Sequence, residues 1–491
     1  MQSFLKTLLT AYQKPPVKAC LLLFLAAVLA WLFLHSLGKQ PLQFWDESRL
    51  AINALNILVR HDWLVMYYGR YPDTLNTKPP LMPVLQALCY TVWGVSAWSH
   101  RLPAALAASL TTALLLVFSW KVLRKPWVGI SAAIVLATMP GFNGTHVART
   151  GDYDALLALM TATYCLSWYV YTQHSKRHHL LLFGLALATA LLIKCSAALV
   201  PLPGLLFYTC RYHAAVLRSR RFWAVLSGAF LPLAAFYIIR EVAYPGYLHF
   251  TLFYDWAGAA LLPLTGPTKW WFYFPVLRQG IGAWTILALF LLASSFRAGF
   301  KPPQILLFAL WQIGTLLVVG CITQTRMPWY IVHAYPMIAL ALGSWAVSLG
   351  SYFPRRWLVL AFATISFSAG IDVVQRHHKA AVAPLAAFQQ YGQALTHLDT
   401  VALLSRRVVF VYERYNPLLE YYWLTAPPLR RLQLDFRRVD KDPESVIRTL
   451  VAGQQVAGCL PEYRRLIEHQ FTTTPLAALD SCWCLRLNHL R

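Results

Sequence analysis

Long apolar segments recur along the first three quarters of the chain, with short polar or basic stretches between them. A helix needs about 20 apolar residues to cross a bilayer. About eleven segments are candidates: residues 19–34, 102–123, 127–142, 155–171, 179–193, 197–212, 222–239, 280–296, 303–322, 328–349 and 357–374. The pattern predicts an all-α polytopic membrane domain over residues 1–374, with a signal-anchor helix first, since no small-residue cleavage site follows the lysines near the N-terminus.

A further apolar stretch, residues 80–93, is short, and its placement decides the topology. If it lies in the interface without crossing, the basic loops fall on the side of the N-terminus, namely 121–125, 176–177, 211–221, 297–301 and 355–356. If it crossed, the later basic loops would move outside and violate the positive-inside rule. We therefore predict a juxtamembrane helix here and a cytoplasmic N-terminus. The predicted outer loops are 40–78, 143–154, 194–195, 240–279 and 323–327.

After residue 374 the composition changes, and residues 375–491 are polar and basic without a membrane-length apolar run. Val- and Phe-rich stretches at 408–412 and 483–487 alternate with helical patterns at 417–423 and 461–471. This alternation predicts a small C-terminal α/β domain, which parity places on the outer side of the membrane. The fold class is thus an all-α polytopic membrane protein, with about eleven transmembrane helices, juxtamembrane helices and this domain.

Composition agrees with a membrane protein. Of the 491 residues, 58% are hydrophobic and 13% are charged, whereas soluble domains carry about 25% charged residues. The net charge of +24 is dispersed in clusters between apolar segments. That distribution indicates positive-inside anchoring and attraction to anionic membrane lipids, and it argues against a nucleic-acid partner.

Three of the nine cysteines, Cys459, Cys482 and Cys484, lie in the polar C-terminal region. No Cys/His spacing there resembles a zinc site. In an oxidising compartment, Cys459 would pair with either Cys482 or Cys484.

An acidic pair, Asp46 and Glu47, directly follows the first apolar segment. A carboxylate is costly at the mouth of a membrane protein and is usually functional. Asp46 is therefore a candidate general base, which would take a proton from an attacking hydroxyl. The alternative is an N-cap for a helix over residues 48–59. Glu47 is more typical of a charge at a helix start, stabilised by the helix dipole.

Three cations, Lys78, Arg326 and Lys194, are candidate phosphate ligands. Lysine offers a point charge, and arginine can hold a phosphate with two parallel hydrogen bonds. All three lie at ends of apolar segments. The alternative is that they extend their charges toward the lipid headgroups.

The loop before the segment at 155 holds Arg149, Asp152 and Asp154. Asp152 and Asp154 match the metal-binding Asp-x-Asp of soluble nucleotide-sugar transferases, but the match is only three residues long. We favour one aspartate orienting an acceptor or the base, and the other capping the helix that begins near residue 155.

The long loop 240–279 holds Tyr254, Asp255, Trp270 and Trp271. The aromatic residues form either an interfacial belt or a wall against which a sugar or polyprenyl chain packs. His333, inside an apolar segment, is predicted to be a hydrogen-bonded core residue.

The motifs follow one another in an order that is specific to one family. They are Asp46-Glu47-Ser48-Arg49, His61-Asp62-Trp63, Lys78-Pro79, Trp93-Gly94, Arg101, the 149–154 loop, Ile193-Lys194 and Arg326-Met327-Pro328. This order resembles the GT-C glycosyltransferases of the protein-mannosyltransferase type, especially the bacterial branch with the aminoarabinose transferases of lipid A. The resemblance covers roughly residues 31–341.

The resemblance implies an inverting transferase in a bacterial inner membrane, with a polyprenyl-phosphate-linked sugar as donor. Asp46 would be the base, and Lys78 and Arg326 would bind the donor phosphate. The acceptor would be lipid A or lipopolysaccharide, another glycan or a protein, and no nucleotide, metal or other cofactor is implied. The chain has Thr77 where the family often has Glu before Lys-Pro, so a contact of that Glu is not carried over.

Two other classes of function remain. A transporter or flippase of lipid-linked sugars would share the apolar content, but such proteins place charges near the bilayer midplane and show repeated halves. A scaffold subunit would not need an acid and cations at one face.

Overall fold

A computed structural model describes residues 15–68, 71–258, 261–262, 268–298, 300–350, 355–382, 407–413, 417–425, 433–439, 443–479 and 482–491. The chain divides into two compact units. The first comprises Met1–Gly38, Asp62–Met66 and Pro72–Ala381, and the second comprises Lys39–His61, Tyr67–Tyr71 and Val382–Arg491. The second unit therefore takes in an early segment of the chain besides the region that the sequence predicted as a C-terminal domain.

The helices of the described regions, in chain order, are α1 Pro15–Leu34, α2 Asp46–Arg60, α3 Leu81–Trp93, α4 Ala97–Lys121, α5 Pro126–Thr138, α6 Asp154–His174, α7 Arg177–Lys194, α8 Leu202–Tyr212, α9 Arg220–Ala243, α10 Tyr247–Thr251, α11 Tyr273–Ile281, α12 Trp284–Ala298, α13 Gln304–Ile322, α14 Ala334–Leu349, α15 Arg355–Val382, α16 Pro417–Thr425, α17 Pro443–Ile447 and α18 Pro461–Gln470. The strands are β1 Tyr67–Tyr68, β2 Tyr71–Pro72, β3 Arg407–Glu413, β4 Gln433–Val439, β5 Gln455–Gly458, β6 Phe471–Leu479 and β7 Cys482–Leu490. The first unit is helical, and α4 and α9 are among its helices that begin at a side-chain cap. For example, the Ser96 hydroxyl accepts a hydrogen bond from the Ser99 N–H at 3.1 Å and caps α4.

Each of the eleven predicted spans contains a helix. Within the described residues, five helical segments are long and apolar enough to cross a membrane, namely Ala97–Lys121, Arg177–Leu199, Arg220–Ala243, Gln304–Ile322 and Val359–Ala380. Helices α11 and α12 would form a sixth if their 102° bend is counted within one span. The shorter helix α5 has 13 residues, or about 20 Å, as does α3. Length alone therefore does not separate the predicted juxtamembrane helix α3 from α5, and eleven crossings stay a prediction.

Three predicted spans, at 197–212, 280–296 and 328–349, are interrupted in the structure. The first begins as a 3₁₀ turn, Cys195–Leu199, and α8 starts only after Pro201. The second breaks at Gly282, whose φ of 63° is accessible to glycine at little cost. The third opens with a 3₁₀ turn, Pro328–Ile331, before α14. Hydropathy does not report such breaks, because the residues on both sides are apolar.

Small residues let helices of the first unit approach closely. A Cβ atom at Gly343 in α14 would lie 2.7 Å from the Val128 carbonyl oxygen in α5. Such contacts are typical of membrane helices, where packing replaces the hydrophobic effect as the source of association.

The second unit contains a five-stranded mixed sheet in the order β4-β3-β5-β7-β6. Strand β3 is parallel to β4 and β5, whereas β7 is antiparallel to β5 and β6. Alternate residues of β3 pack on opposite faces: Phe410 contacts a cluster with Leu419 of α16, and Val411 a cluster with Ile467 of α18. The predicted α/β pattern at 408–412, 417–423, 461–471 and 483–487 matches these elements.

Two further features complete the second unit. Helix α2 packs against α16, which explains why an early segment of the chain groups with the C-terminal region.

Cys459 and Cys482 form a disulfide bond, and Cys484 is a buried free thiol. The pairing that the sequence left open is thus Cys459 with Cys482.

Candidate functional site

The first unit contains a cavity of about 340 Å³, a size suited to a small ligand or part of a larger one. Each of the five predicted outer loops contributes a residue to its lining, namely Lys78, Asp154, Lys194, Asp255 and Thr325. These positions are far apart in the sequence. Their convergence identifies the cavity as the candidate site of this unit.

The cavity is amphiphilic. Its charged groups come from loops and helix ends, whereas Leu199, Val200, Leu316 and Val319 supply an apolar wall. Leu316 lies two turns before Thr323, which also lines the cavity, so the wall extends about 10 Å along α13. A ligand with an anionic head and a hydrocarbon tail would match both parts.

Interrupted helices form much of the lining. Ser196 belongs to the 3₁₀ turn before α8, and Tyr330 to the 3₁₀ turn before α14. Asp255 lies on a π-helical turn, Leu252–Gly258, a conformation that is rare and often found at functional sites. Irregular backbone in a membrane protein is tolerated where it lines a cavity, and all three of these segments contribute residues to the lining.

Lys194 and Asp154 form an ion pair, with 2.8 Å between Nζ and Oδ1. Lys194 ends α7 and Asp154 begins α6, so each charge also opposes the partial charge of its own helix terminus. The pair joins the two helices and largely neutralises the charge of Lys194.

Lys78 has a different environment. Among the described residues none forms an ion pair or hydrogen bond with its ammonium group, whose Nζ lies 5.7 Å from the centre of the Tyr153 ring. The preceding residue is fixed at two points, since Tyr247 donates a hydrogen bond to the Thr77 carbonyl and the Thr77 hydroxyl donates one to Asp255 Oδ2, both 2.6 Å. Lys78 is thus a half-buried cation on a rigid backbone.

Arg326 does not line the cavity, although the adjacent Thr325 does. Its guanidinium donates to the carbonyl oxygens of Gly320 (3.2 Å), Cys321 (2.7 Å) and Thr268 (2.7 Å). The first two carbonyls belong to the last turn of α13 and lack helical partners. Arg326 therefore caps α13 and ties it to the segment at Thr268, and its role as a phosphate ligand stays a prediction.

Asp46, Glu47 and Arg49 lie in the second unit. Asp46 is exposed and is the first residue of α2, so its N-cap alternative is wrong: Trp45 is the N-cap, and its side chain does not cap the helix. Trp45 has a φ of 77°, an uncommon conformation for a bulky residue, and such outliers concentrate at functional sites.

Glu47 is buried and its Oε2 accepts a hydrogen bond from the Gln43 N–H at 2.6 Å. Arg49 lies 5.4 Å from the Tyr68 ring centre.

The loop before α6 contains two further predicted site residues. Arg149 donates to the carbonyl oxygens of Phe33 and His35, both at 2.8 Å, near the end of α1, and burial lowers its pKa to about 10, with a smaller effect from Arg101. Asp152 accepts a hydrogen bond from the Thr150 hydroxyl at 2.5 Å and lies 3.3 Å from His146 Nδ1.

Asp154 does not have the capping role that we expected for one aspartate of this loop. Tyr153 is the N-cap of α6 and makes no side-chain cap. Asp154 instead pairs with Lys194, because a buried carboxylate needs a cationic partner.

The aromatic residues that we predicted as a wall for the ligand lie outside the cavity lining. Tyr254 stacks on Phe250, with ring centres 4.5 Å apart, and Trp270 and Trp271 are both exposed. The three are not among the residues that line the cavity. The aromatic lining comes instead from Trp256, Tyr273 and Tyr330.

Two residues have contacts that the sequence did not reveal. Thr77 was notable only as a departure from the family pattern, yet its hydroxyl holds Asp255. His333 has the predicted core contact, with Nδ1 3.3 Å from the Thr161 hydroxyl, and it also lines the cavity. For Thr77, the only sequence signal was its position next to Lys78. For His333, no sequence signal indicated a place in the cavity lining.

The chain is similar in sequence to known proteins. Residues 77–239 match the family described as dolichyl-phosphate-mannose-protein mannosyltransferase. The chain is 22% identical over 353 residues to undecaprenyl phosphate-alpha-4-amino-4-deoxy-L-arabinose arabinosyl transferase 2 of Proteus mirabilis, covering 69% of this chain and 61% of the relative. It is 25% identical over 332 residues to the corresponding arabinosyl transferase of Pseudomonas paraeruginosa, covering 63% and 57%. The chain thus spans about three fifths of the length of these curated relatives.

The fold is similar to a crystal structure of ArnT from Cupriavidus metallidurans bound to undecaprenyl phosphate. The TM-score is 0.69 at 15% identity, and the match covers 94% of this chain and 97% of that one. Together these matches confirm the resemblance to the GT-C superfamily that the order of motifs indicated.

Proposed function

We propose that this GT-C chain is an inverting glycosyltransferase, which moves a sugar from a polyprenyl-phosphate carrier to a hydroxyl or phosphate acceptor at the periplasmic face of a bacterial inner membrane. The observation that carries the proposal is the amphiphilic cavity, where the ammonium of Lys78 adjoins an apolar wall. A polyprenyl phosphate has the same two parts, an anionic phosphate and a hydrocarbon chain.

Lys78 is the proposed phosphate ligand. A hydrogen bond from an ammonium to a phosphate oxygen is about twice as strong as a neutral one, and Lys78 would give up no ion pair with a described residue to make it. Lys194 is a secondary ligand, since its charge is shared with Asp154 at 2.8 Å. Arg326 would have to exchange carbonyl contacts for phosphate oxygens.

In the proposed reaction with a hydroxyl acceptor, the hydroxyl oxygen attacks the anomeric carbon while its proton passes to the Asp46 carboxylate. The bond between the anomeric carbon and the phosphate oxygen breaks, and its electron pair leaves with the phosphate held by Lys78. A single displacement of this kind inverts the anomeric configuration. Asp46 is assigned from its place in the sequence motif and from the strained Trp45 before it.

Polar groups for the sugar and acceptor are proposed among the remaining site residues. Asp255, fixed by Thr77, presents a carboxylate to the cavity and can accept hydrogen bonds from sugar hydroxyl or amino groups. The curated relatives are named for a donor of undecaprenyl phosphate and aminoarabinose, which makes that donor the first to test. Lipid A, other glycans and proteins are the candidate acceptors.

The proposed periplasmic location has independent support. Disulfide bonds persist in oxidising compartments such as the periplasm, and the second unit contains one. The long apolar helices of the first unit support a membrane location for that part of the chain.

The test is sugar transfer by the purified full-length chain in lipid nanodiscs, with radiolabelled polyprenyl-phosphate sugars and the candidate acceptors. We expect Asp46→Asn to abolish transfer while donor binding persists. Asp372→Asn removes a carboxylate from an exposed ion pair of α15 and should leave transfer unchanged. Full turnover by Asp46→Asn would remove Asp46 as the base.

The same preparation separates an enzyme from a transporter. A transporter would move labelled lipid between leaflets and leave the sugar on its carrier, whereas a transferase releases polyprenyl phosphate. The charged residues of the cavity lie in predicted outer loops, whereas transporters typically bind their substrates near the bilayer midplane, so the enzyme is favoured.

A further inference from the structure

A second cavity in the first unit has a strongly basic lining. Its volume is about 580 Å³, and Arg124, Lys125 and Lys301 line it together with Trp127 and Phe300. The two groups of residues come from the connections between α4 and α5 and between α12 and α13. Both connections belong to loops that the positive-inside rule predicts to be cytoplasmic.

This basic cavity lies at the opposite end of two helices from the candidate active site. Helix α13 begins beside Pro303, which lines the basic cavity, and ends near Thr323, which lines the first one. Helix α14 runs between the same two cavities, from beside His333 to Ser348. Since α13 has 19 residues, the two ends are about 28 Å apart, close to the thickness of a bilayer core.

Among the described residues, the three cations have no anionic partner. Within the described part of the chain, no carboxylate or other acceptor pairs with the side chain of Arg124, Lys125 or Lys301, and all three side chains are exposed. Three like charges around one cavity repel one another, and a bound anion would relieve this repulsion.

Helix termini of both kinds meet near the cavity. Helix α5 starts at Pro126 and α13 starts after Pro303, and both prolines line the cavity. Two helix N-termini, which favour anions, therefore lie close by. Helices α4, α12 and α14 end at Lys121, Ala298 and Leu349, before or beside the same lining, and contribute opposing partial charges. The three cations therefore supply the net positive charge of the cavity.

Apolar surface flanks the cavity. Phe296, one turn of sequence before Phe300, is 82% exposed, and Trp127 is 49% exposed. Exposed aromatic side chains beside cations are typical of the headgroup region of a membrane. An anion delivered by a lipid would therefore place its acyl chains on apolar side chains, which a free phosphate ion would leave uncovered.

We propose that this cavity is a binding site for the phosphate headgroup of an anionic phospholipid, at the membrane face opposite the sugar-transfer site. Basic pockets between transmembrane helices on the cytoplasmic side bind such headgroups in other proteins. The site is independent of the proposed catalytic function, since it needs no transferred sugar.

The experiment measures lipid binding by the purified full-length chain. Native mass spectrometry titrates phosphatidylglycerol and phosphatidylcholine against the wild type and against a triple variant, Arg124→Gln, Lys125→Gln and Lys301→Gln. A basic residue near a membrane surface contributes about fivefold in affinity for anionic lipid. We expect the triple variant to lose phosphatidylglycerol affinity more than about tenfold and to keep its weak affinity for phosphatidylcholine.

The matched control removes three charges from other loops of the same predicted face, by Lys176→Gln, Arg177→Gln and Arg218→Gln. It should retain wild-type affinity, because none of these residues lines the basic cavity. If the triple variant does not fold, Lys301→Gln alone carries the test through the shift in melting temperature that phosphatidylglycerol produces.

Three outcomes would overturn the proposal. In the first, the cavity variants bind phosphatidylglycerol as tightly as the wild type does. In the second, the control variant loses as much affinity for phosphatidylglycerol as the triple variant. In the third, inorganic phosphate at millimolar concentration would stabilise the wild type as much as the lipid does, which would identify a soluble anion as the ligand.

Discussion

At the residue scale, three cations for which the sequence makes the same prediction have different contacts in the structure. Lys78, Lys194 and Arg326 each flank an apolar segment, so composition and position give the same prediction for all three. Their partners differ: Lys194 has a carboxylate, Arg326 has backbone carbonyls, and the Lys78 ammonium has only a ring contact among the described residues. Carbonyl partners have no sequence signature, so this difference could not be predicted.

We expect Lys78→Gln to weaken donor binding about 10- to 100-fold, because a hydrogen bond to a charged group contributes about 1.5–3 kcal/mol. Titration of polyprenyl phosphate by microscale thermophoresis measures the loss. Lys269→Gln is the control, since Lys269 lies over the Trp271 ring at 5.1 Å and outside the cavity lining. Equal affinity of wild type and Lys78→Gln would exclude Lys78 as the phosphate ligand.

Arg326→Gln should act on stability more than on donor binding. The substitution removes the Arg326 donor from the Cys321 carbonyl and one of two donors from the Gly320 carbonyl, at a cost of about 2–3 kcal/mol for hydrogen bonds to a charged group. We expect a lower melting temperature in nanodiscs and a donor affinity within about threefold of wild type. A phosphate ligand would give the reverse, with lost affinity at an unchanged melting temperature.

At the element scale, the sequence located the helices but not their interruptions. The period and length of apolar runs predicted a helix in every one of the eleven segments, because burial in lipid or protein requires that pattern. The interruptions depend on Pro201, Gly282 and Pro328 and on tertiary contacts. Two of the interrupting 3₁₀ turns contribute Ser196 and Tyr330 to the cavity lining. The part of the site that lies on irregular backbone could therefore not be predicted from the sequence.

The ion pair between α6 and α7 should be strongly coupled. Both side chains are largely buried, at 13% and 5% exposure, so removing one partner leaves an unpaired charge at a cost of about 3–5 kcal/mol. We expect Asp154→Asn and Lys194→Gln each to lower thermal stability, and the double variant to recover part of the loss. A double-mutant cycle on melting temperatures measures the coupling. Additive effects of the two substitutions would show that the pair contributes nothing to stability.

At the scale of the whole molecule, the chain is not divided where its composition changes. Composition placed the boundary at residue 374, yet α15 runs to Val382 and the second unit also contains residues 39–61. Helix α2 belongs to that unit because it packs on α16, a contact between segments more than 350 residues apart. No local pattern encodes such a contact, so it could not be read from the sequence.

The disulfide bond should stabilise the second unit. It joins residues 23 apart in sequence, and closing a loop of that length in the unfolded chain contributes about 3 kcal/mol. We expect Cys459→Ser with Cys482→Ser to lower the unfolding temperature of this unit, as followed by limited proteolysis during heating. Cys210→Ser, which removes an exposed free thiol, is the control. Equal protease resistance of the double variant and wild type would argue against the stabilisation.

The predicted orientation in the membrane can be tested on the whole chain by thiol labelling. Lys269 lies in a predicted outer loop and Arg218 in a predicted inner one, and both side chains are exposed. In a chain with Cys20→Ser and Cys210→Ser, we expect a membrane-impermeant maleimide to label Lys269→Cys in intact spheroplasts. It should label Arg218→Cys only after the membrane is permeabilised. This labelling pattern follows from the positive-inside rule, because the basic loops, which include Arg218, stay on the cytoplasmic side. The opposite labelling pattern would place the candidate active site in the cytoplasm and remove the periplasmic acceptors from the proposed reaction.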